Sequence, residues 1–210
     1  MQEQKRFKGY VIQSFEKPKS EGKWNTELSL ADNINWDRIN MNIFFCTKDT
    51  RLVWFQYRIL HRILATNKFL FMIRIADNPN CSFCKTEVES LKHLFYDCTK
   101  VREIWNNLHI WLTIHATSDF TFDLVAEDIL LGKVGKKFNL LNLIITIVKY
   151  YIYSQKRCGK YLCIEDAKYK IAQYFDVEKN MYKMKKPGMP FSVLLLVWKI
   201  IELSPLNCYL

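Results

Sequence analysis

Between residues 81 and 98 the chain gathers four side chains able to ligate a soft metal. Cys81 and Cys84 stand two residues apart, His93 follows after eight more, and Cys98 after another four; the whole 210-residue chain has only 7 cysteines and 4 histidines. Two thiolates separated by two residues grip one ion from a tight turn, and a pair five positions apart returns from a helical or near-helical segment. Three sulfurs and one imidazole nitrogen complete a tetrahedral Zn²⁺ shell and leave no position for water or substrate. That donor set predicts a structural ion rather than a catalytic one. Chance proximity and a disulfide are the competing readings. Against the first, Pro79-Asn80 supplies a turn before the first thiolate, and Glu89-Ser90 gives a helix-start signal ahead of Leu91, Leu94 and Phe95. Against the second, the opening residues carry no apolar signal segment, so a reducing, intracellular compartment is expected.

Elements that could hold such a cluster follow from the periodicity. With 6 glycines, 5 prolines and half the residues apolar, long runs at 3- and 4-residue steps predict a mainly α chain. The expected architecture is a helical domain with an embedded CCHC zinc knuckle, followed by a C-terminal helical bundle. Residues 1–33 read as a flexible N-terminal segment, with a linker around Lys17-Pro18 to Gly22. Residues 34–116 read as the helical region holding the knuckle, and 117–210 as a basic helical region. Asn35 is positioned to cap a helix from Trp36, and Asp49 or Thr50 opens one over 51–65. A short segment spans 68–75, and a Trp105-bearing helix runs from Thr99 to about Ile114, its apolar side packed on the metal loop. A loop at 117–121 leads to an acidic helix ended by Gly132. Over 136–159, Asn139, Asn142, Thr146, Lys149, Tyr153, Lys156 and Lys160 form one thin polar stripe on an otherwise apolar helix, expected to meet water or a phosphate backbone. A helix from about Glu165 shows Lys168, Lys170, Lys179 and Lys183 outward; 184–190 breaks it, and 191–203 forms a last apolar helix. The apolar runs fall short of the ~20 residues of a membrane span. Cys46, Cys158, Cys163 and Cys208 have no ligand spacing and read as ordinary thiols.

Charge is unevenly placed. The net +10 divides into +5 over residues 1–80, zero over 81–110, −4 over 111–132, +9 over 133–186 and zero over 187–210. Three thiolates around Zn²⁺ make the metal core itself about −1. A polyanion would therefore be held by helices outside the knuckle. Arg51, Arg58 and Arg62 share a narrow arc at about 100° per residue, readable either as a solvated face or as a phosphate contact.

The ordered series of Leu52-Val-Trp-Phe-Gln-Tyr-Arg-Ile-Leu-His-Arg-Ile-Leu64, Thr66-Asn67, Cys81-x2-Cys84, Glu89-Ser90-x2-His93-Leu-Phe, Cys98 and x6-Trp105 resembles the zinc-binding region near the C-terminus of non-LTR (LINE-type) retrotransposon reverse transcriptases. The resemblance covers residues 36–111. It implies Cys81, Cys84, His93 and Cys98 as zinc ligands and Phe83, Leu94, Phe95 and Trp105 as their apolar support. It also implies a role in gripping template RNA or target DNA, with the polymerase part of the parent polyprotein as a further partner. The chain shows no Tyr/Phe-x-Asp-Asp pair and no recognisable endonuclease set; Asp123, Glu127, Asp128 and Lys133 fit a solvated helix. No enzymatic activity is expected. The leading reading is a truncated element product acting as a zinc-stabilised nucleic-acid-binding module in a nuclear or cytoplasmic ribonucleoprotein. Arg51, Arg58, Arg62, Lys149, Lys156, Lys160 and Lys168 are its expected phosphate contacts, and Phe83 or Tyr96 its stacking groups. The alternatives are a protein-interaction scaffold with a purely structural zinc and, third, a zinc enzyme, which a closed four-ligand shell disfavours.

Overall fold

A computed structural model describes residues 18–31, 34–115 and 125–183. The loop at 117–121, the break at 184–190, the helix at 191–203, Asp123, Cys208 and the side chains of His115, Lys179 and Lys183 lie outside the described residues. Among the described residues the secondary structure is helical, with no strand and one isolated antiparallel bridge between Asn80 and Val88. None of their helices is long and apolar enough to cross a membrane.

The described residues fall into two compact units, divided between Ile34 and Asn35. In the first, the stretch expected as a linker instead opens helix α1, Lys19–Leu28. Pro18 precedes the first turn, where its missing N–H costs nothing, and Glu21 places a negative charge at the positive end of the helix. Ser29 in the left-handed region closes it, with the Leu30 N–H donating to the Asn25 carbonyl.

The second unit is built from α2 (Trp36–Cys46), α3 (Thr50–Leu60), α4 (Asn67–Met72), a π turn (His93–Asp97), α5 (Thr99–His115), α6 (Ala126–Leu131), a 3₁₀ turn (Lys136–Phe138), α7 (Asn139–Cys158) and α8 (Ile164–Lys183). The capping residues do what their chemistry dictates. Asn35 Oδ1 accepts from the Arg38 N–H, Asp49 Oδ1 from the Arg51 N–H, and Thr66 Oγ1 from the Phe69 N–H.

Helix α3 ends at Leu60, well before the apolar pattern does. Arg62 sits at φ 58°; its N–H donates to the Ile59 carbonyl, and the Ile63 N–H reaches back to the Arg58 carbonyl. This is the paired closure of a Schellman motif, here with arginine where glycine is usual. Arg62 is consequently off the helix and no longer continues the row of Arg51 and Arg58. The same motif, here with glycine in the left-handed position, ends α7 at Gly159.

Helix α7 is the centre of the unit. It packs against α2, α3, α6 and α8, while α5 packs on the π turn and on α8. The unit's described helices before residue 116 and after residue 125 thus pack into one core. Leu140 to Tyr153 of α7 are buried except Tyr150, and each large aliphatic there contributes about 1.5–3 kcal/mol. The polar stripe of α7 differs from expectation. Asn142, Thr146 and Lys149 are buried, not solvated, because α2 and α3 present polar partners to them. Asn42 and Asn142 both donate to the Lys133 carbonyl, and Lys149 Nζ donates to Gln56 Oε1 at 2.6 Å. Gln56 Nε2 in turn donates to the Leu130 carbonyl at 2.9 Å. Gly132, which ends α6 as its position implied, has φ +84°, and a Cβ there would lie 3.0 Å from Asn42 Nδ2.

Candidate metal centre

The first two cysteines sit on a short ribbon. Asn78 Oδ1 accepts from the Asn80 N–H, and across the ribbon the Cys81 N–H donates to Glu87 and the Glu89 N–H to Pro79. Between its arms the chain turns tightly: the Lys85 N–H returns to the Cys81 carbonyl, and the Phe83 N–H points at the Cys81 sulfur, 3.4 Å away. Lys85 takes φ 64° to make that turn.

The other two ligands come from one wide turn. Ser90 Oγ accepts from the His93 N–H and starts the segment, as the sequence indicated. The chain then opens from α geometry into the π turn, closed by the Cys98 N–H donating to the His93 carbonyl at 3.0 Å. In an α-helix, residues five apart point about 140° away from one another. A π turn bonds residue i to i+5 and brings such a pair to the same side. The spacing of His93 and Cys98 therefore requires this local widening.

Together these supports place Cys81, Cys84, His93 and Cys98 with their donor atoms within 4.8 Å of one another. Cys81 Sγ and Cys98 Sγ are 3.7 Å apart, and Cys84 Sγ and His93 Nε2 are 3.4 Å apart. A tetrahedral Zn²⁺ with its usual bond lengths requires S···S edges of about 3.8 Å and S···N edges of about 3.5 Å. The four residues fit that ion in donor type and number, and these two edges fit it in length.

Electrostatics around the sulfurs point the same way. Cys98 immediately precedes α5. The Cys81 thiol donates to it, and the N–H groups of Val101 and Lys100 add to that, holding Cys98 well below the ordinary thiol range against its burial. Cys81 is pushed upward by that shared proton and by burial, the load a divalent cation would remove. At Cys84 burial acts upward, but hydrogen bonds from the Thr86 hydroxyl, the N–H groups of Glu87 and Thr86, and His93 outweigh it and bring the thiol to about 7.

Glu89, read from the sequence only as part of a helix start, is the hub of the support. Its carboxylate is fully buried. One oxygen accepts from the Asn67 N–H at 2.8 Å and pairs with Lys156 Nζ at 3.1 Å, and the other accepts from the Ser82 N–H at 2.9 Å. The knuckle, the start of α4 and the end of α7 are thus fastened to one anion. Opposite it, the Trp105 indole donates to the Phe95 carbonyl at 2.7 Å, so the helix after the last ligand does pack on the metal loop, with Leu94 and Phe95 buried between.

The expected phosphate contacts divide. Arg51, Arg58 and Lys160 are exposed; Arg62 and Lys168 are half-buried, Lys168 paired with Glu165. Lys149 and Lys156 are not surface cations. The first is 1 % exposed and bound to Gln56. The second is engaged by Glu89 and the Ala65 carbonyl. To meet a phosphate, Lys149 would have to leave the core and Lys156 its ion pair with Glu89. Phe83 and Tyr96 are half-buried.

Residues 23–105 match the family model described as zinc-binding in reverse transcriptase. No curated protein and no solved structure matches. The matched segment holds all four ligands, Glu89 and Trp105, and ends where the indole ties α5 to the metal loop. Lys156, which completes the buried ion pair, lies beyond it. The signal that would have revealed Gln56 and Asn42 was present in the sequence: each is polar at a helical step otherwise occupied by core residues. Nothing local marked Glu89 as buried.

Proposed function

We propose that this chain is a zinc-stabilised, non-catalytic nucleic-acid-binding module of the kind found near the C-terminus of non-LTR (LINE-type) reverse transcriptases. The observation that carries the reading is the four-ligand cluster inside the segment that matches a reverse transcriptase zinc-binding model. Three thiolates and an imidazole close the metal's coordination, so the ion would shape the fold rather than activate water. Within that fold Glu89 and Trp105 transmit the shape of the knuckle to α4, α5 and α7. The cations that remain at the surface, among them Arg51, Arg58, Arg157, Lys160 and Lys170, supply sequence-independent attraction to a phosphate backbone.

The test is binding of the zinc-loaded chain to single-stranded RNA and duplex DNA over a salt series. Affinity falling steeply and linearly with log salt supports the module, and its slope gives the number of phosphates neutralised. Absence of binding at low salt removes the reading.

One observation favours a second reading, a docking module for the polymerase part of the same polyprotein. Helix α4 has no buried residue, and Phe69, Phe71 and Met72, with Ile73 and Ile75 after it, are exposed. An apolar surface of this kind marks an interaction site. Concentration-dependent association, or capture of the polymerase segment without affinity for nucleic acid, would select it.

A further inference from the structure

Helix α3 is held on one side and bare on the other. Leu52, Phe55, Gln56, Ile59 and Leu60 are buried against its neighbours, which fixes the helix in rotation. The remaining arc carries two parallel rows. One is aromatic: Trp54 is 62 % exposed and Tyr57 39 %, their rings edge-to-face at 5.4 Å, with His61 next at 4.1 Å from Tyr57. The other is cationic: Arg51 and Arg58, both exposed, one on either side of Trp54 in the sequence. Asp49 holds the Arg51 guanidinium by Nε at 3.2 Å and Nη2 at 2.9 Å, which fixes its position while the side chain stays 77 % exposed. No acidic residue occurs between positions 50 and 61.

We propose that this arc is a stacking platform for two or three unpaired nucleotides, with Trp54 and Tyr57 receiving bases and Arg51 and Arg58 the adjoining phosphates. The inference rests on the nucleic-acid reading above and deepens it by naming the surface and the strand state. Positions 54 to 61 span about 10 Å along a helix, close to the rise of three stacked bases at 3.4 Å each. Aromatic faces accept any base, and guanidinium groups beside them neutralise the backbone, the usual chemistry of single-strand recognition. A paired duplex keeps its base faces covered and gains only the phosphate contacts. This platform replaces Phe83 and Tyr96, whose rings are half-buried in and beside the metal loop.

The experiment uses the full zinc-loaded chain, a 12-nucleotide uridine oligomer and a blunt DNA duplex, read by fluorescence anisotropy. Trp54→Ala should weaken oligomer binding about tenfold, and Trp54→Ala with Tyr57→Ala about a hundredfold. Duplex binding, the thermal midpoint and the slope against log salt should stay close to the parent's. Trp54→Phe should keep most of the affinity, whereas Arg58→Gln should flatten the salt slope by nearly one phosphate. If the parent binds the oligomer and both Trp54→Ala and the Trp54→Ala, Tyr57→Ala pair bind it equally well, the platform is wrong and the nucleic-acid reading stands. If Trp54→Ala abolishes self-association and leaves oligomer affinity intact, the arc is a protein contact and the platform is overturned. A parent chain that binds neither strand removes the nucleic-acid reading and the platform with it.

Discussion

Lys149 is expected to make this fold less stable below neutral pH, and replacing it should reverse that. The amine is buried with Gln56 Oε1 as its hydrogen-bond acceptor, and none of the side chains lining the small cavity beside it, from Ile39 to Thr146, is acidic. Cys46, which also lines that cavity, stays a neutral thiol, since burial pushes it up to about 12. Desolvation of the ammonium therefore prevails and brings Lys149 from its ordinary 10.5 to about 7. Because the folded pKa is depressed, the unfolded chain binds more protons between those two values. Stability consequently rises with pH across that window and levels off at its lowest value below pH 7. At 1.36 kcal/mol per pH unit at full difference, the gain between pH 6 and 8.5 is about 2 kcal/mol. Stopping at pH 8.5 keeps Cys46 protonated in the fold, and the partial ionisation of its thiol in the unfolded chain is common to both proteins. Lys149→Met fills the same volume without the charge. After allowing for the hydrogen bond Gln56 loses, the variant should be more stable than the parent by about 2 kcal/mol at pH 6. Urea denaturation of both zinc-loaded proteins at several pH values isolates the effect, since zinc and thiol titrations cancel in the difference. Parallel stability curves for the two proteins would refute the reasoning, because only an amine that keeps its proton in the fold over this range, as a freely hydrated one does, contributes no such slope.

Other consequences are as specific. Chelating the metal should expose the amides of residues 81–98 to hydrogen exchange while those of α7 between Leu140 and Ile152 stay protected. The knuckle has little core of its own and would lose an apparent ~10–16 kcal/mol of metal binding; unchanged exchange in that loop would contradict a structural ion. Glu89→Ala leaves Lys156 buried without its counter-charge and should cost about 3–5 kcal/mol in chemical denaturation. Glu89→Ala combined with Lys156→Met should recover much of it. Gly132→Ala places a methyl 3.0 Å from Asn42 and 3.2 Å from Asn142 at a positive φ, and should lower stability by about 1–3 kcal/mol with no change in zinc stoichiometry.

Much of the site was legible along the chain, and the parts that were not share one cause. Ligand type and spacing in residues 81–98, the cap at Ser90 and the supporting Trp105 are local features, set by residues within one or two turns of one another. They could be read without a fold. The caps at Asn35, Asp49 and Thr66, the breaks at Gly132 and Gly159 and the helical period were local too. The end of α3 was less so: the apolar pattern ran on to Leu64, and only the left-handed conformation of Arg62 stopped the helix at Leu60.

Partners distant in sequence decided the rest. Whether a polar stripe on α7 meets water depends on what α2 and α3 place opposite it. Gln56, 93 positions from Lys149, and Asn42, 91 positions from the Lys133 carbonyl it shares with Asn142, turned the stripe into a buried seam. Glu89 became the anchor of the knuckle only because α7 delivers Lys156 to it. The sequence by itself determined the metal chemistry and the helical class, since both depend on residue type and short spacing. The tertiary structure alone decided which lysines are surface cations and which are buried, because burial is set by the packing of helices that the chain does not bring together until it folds.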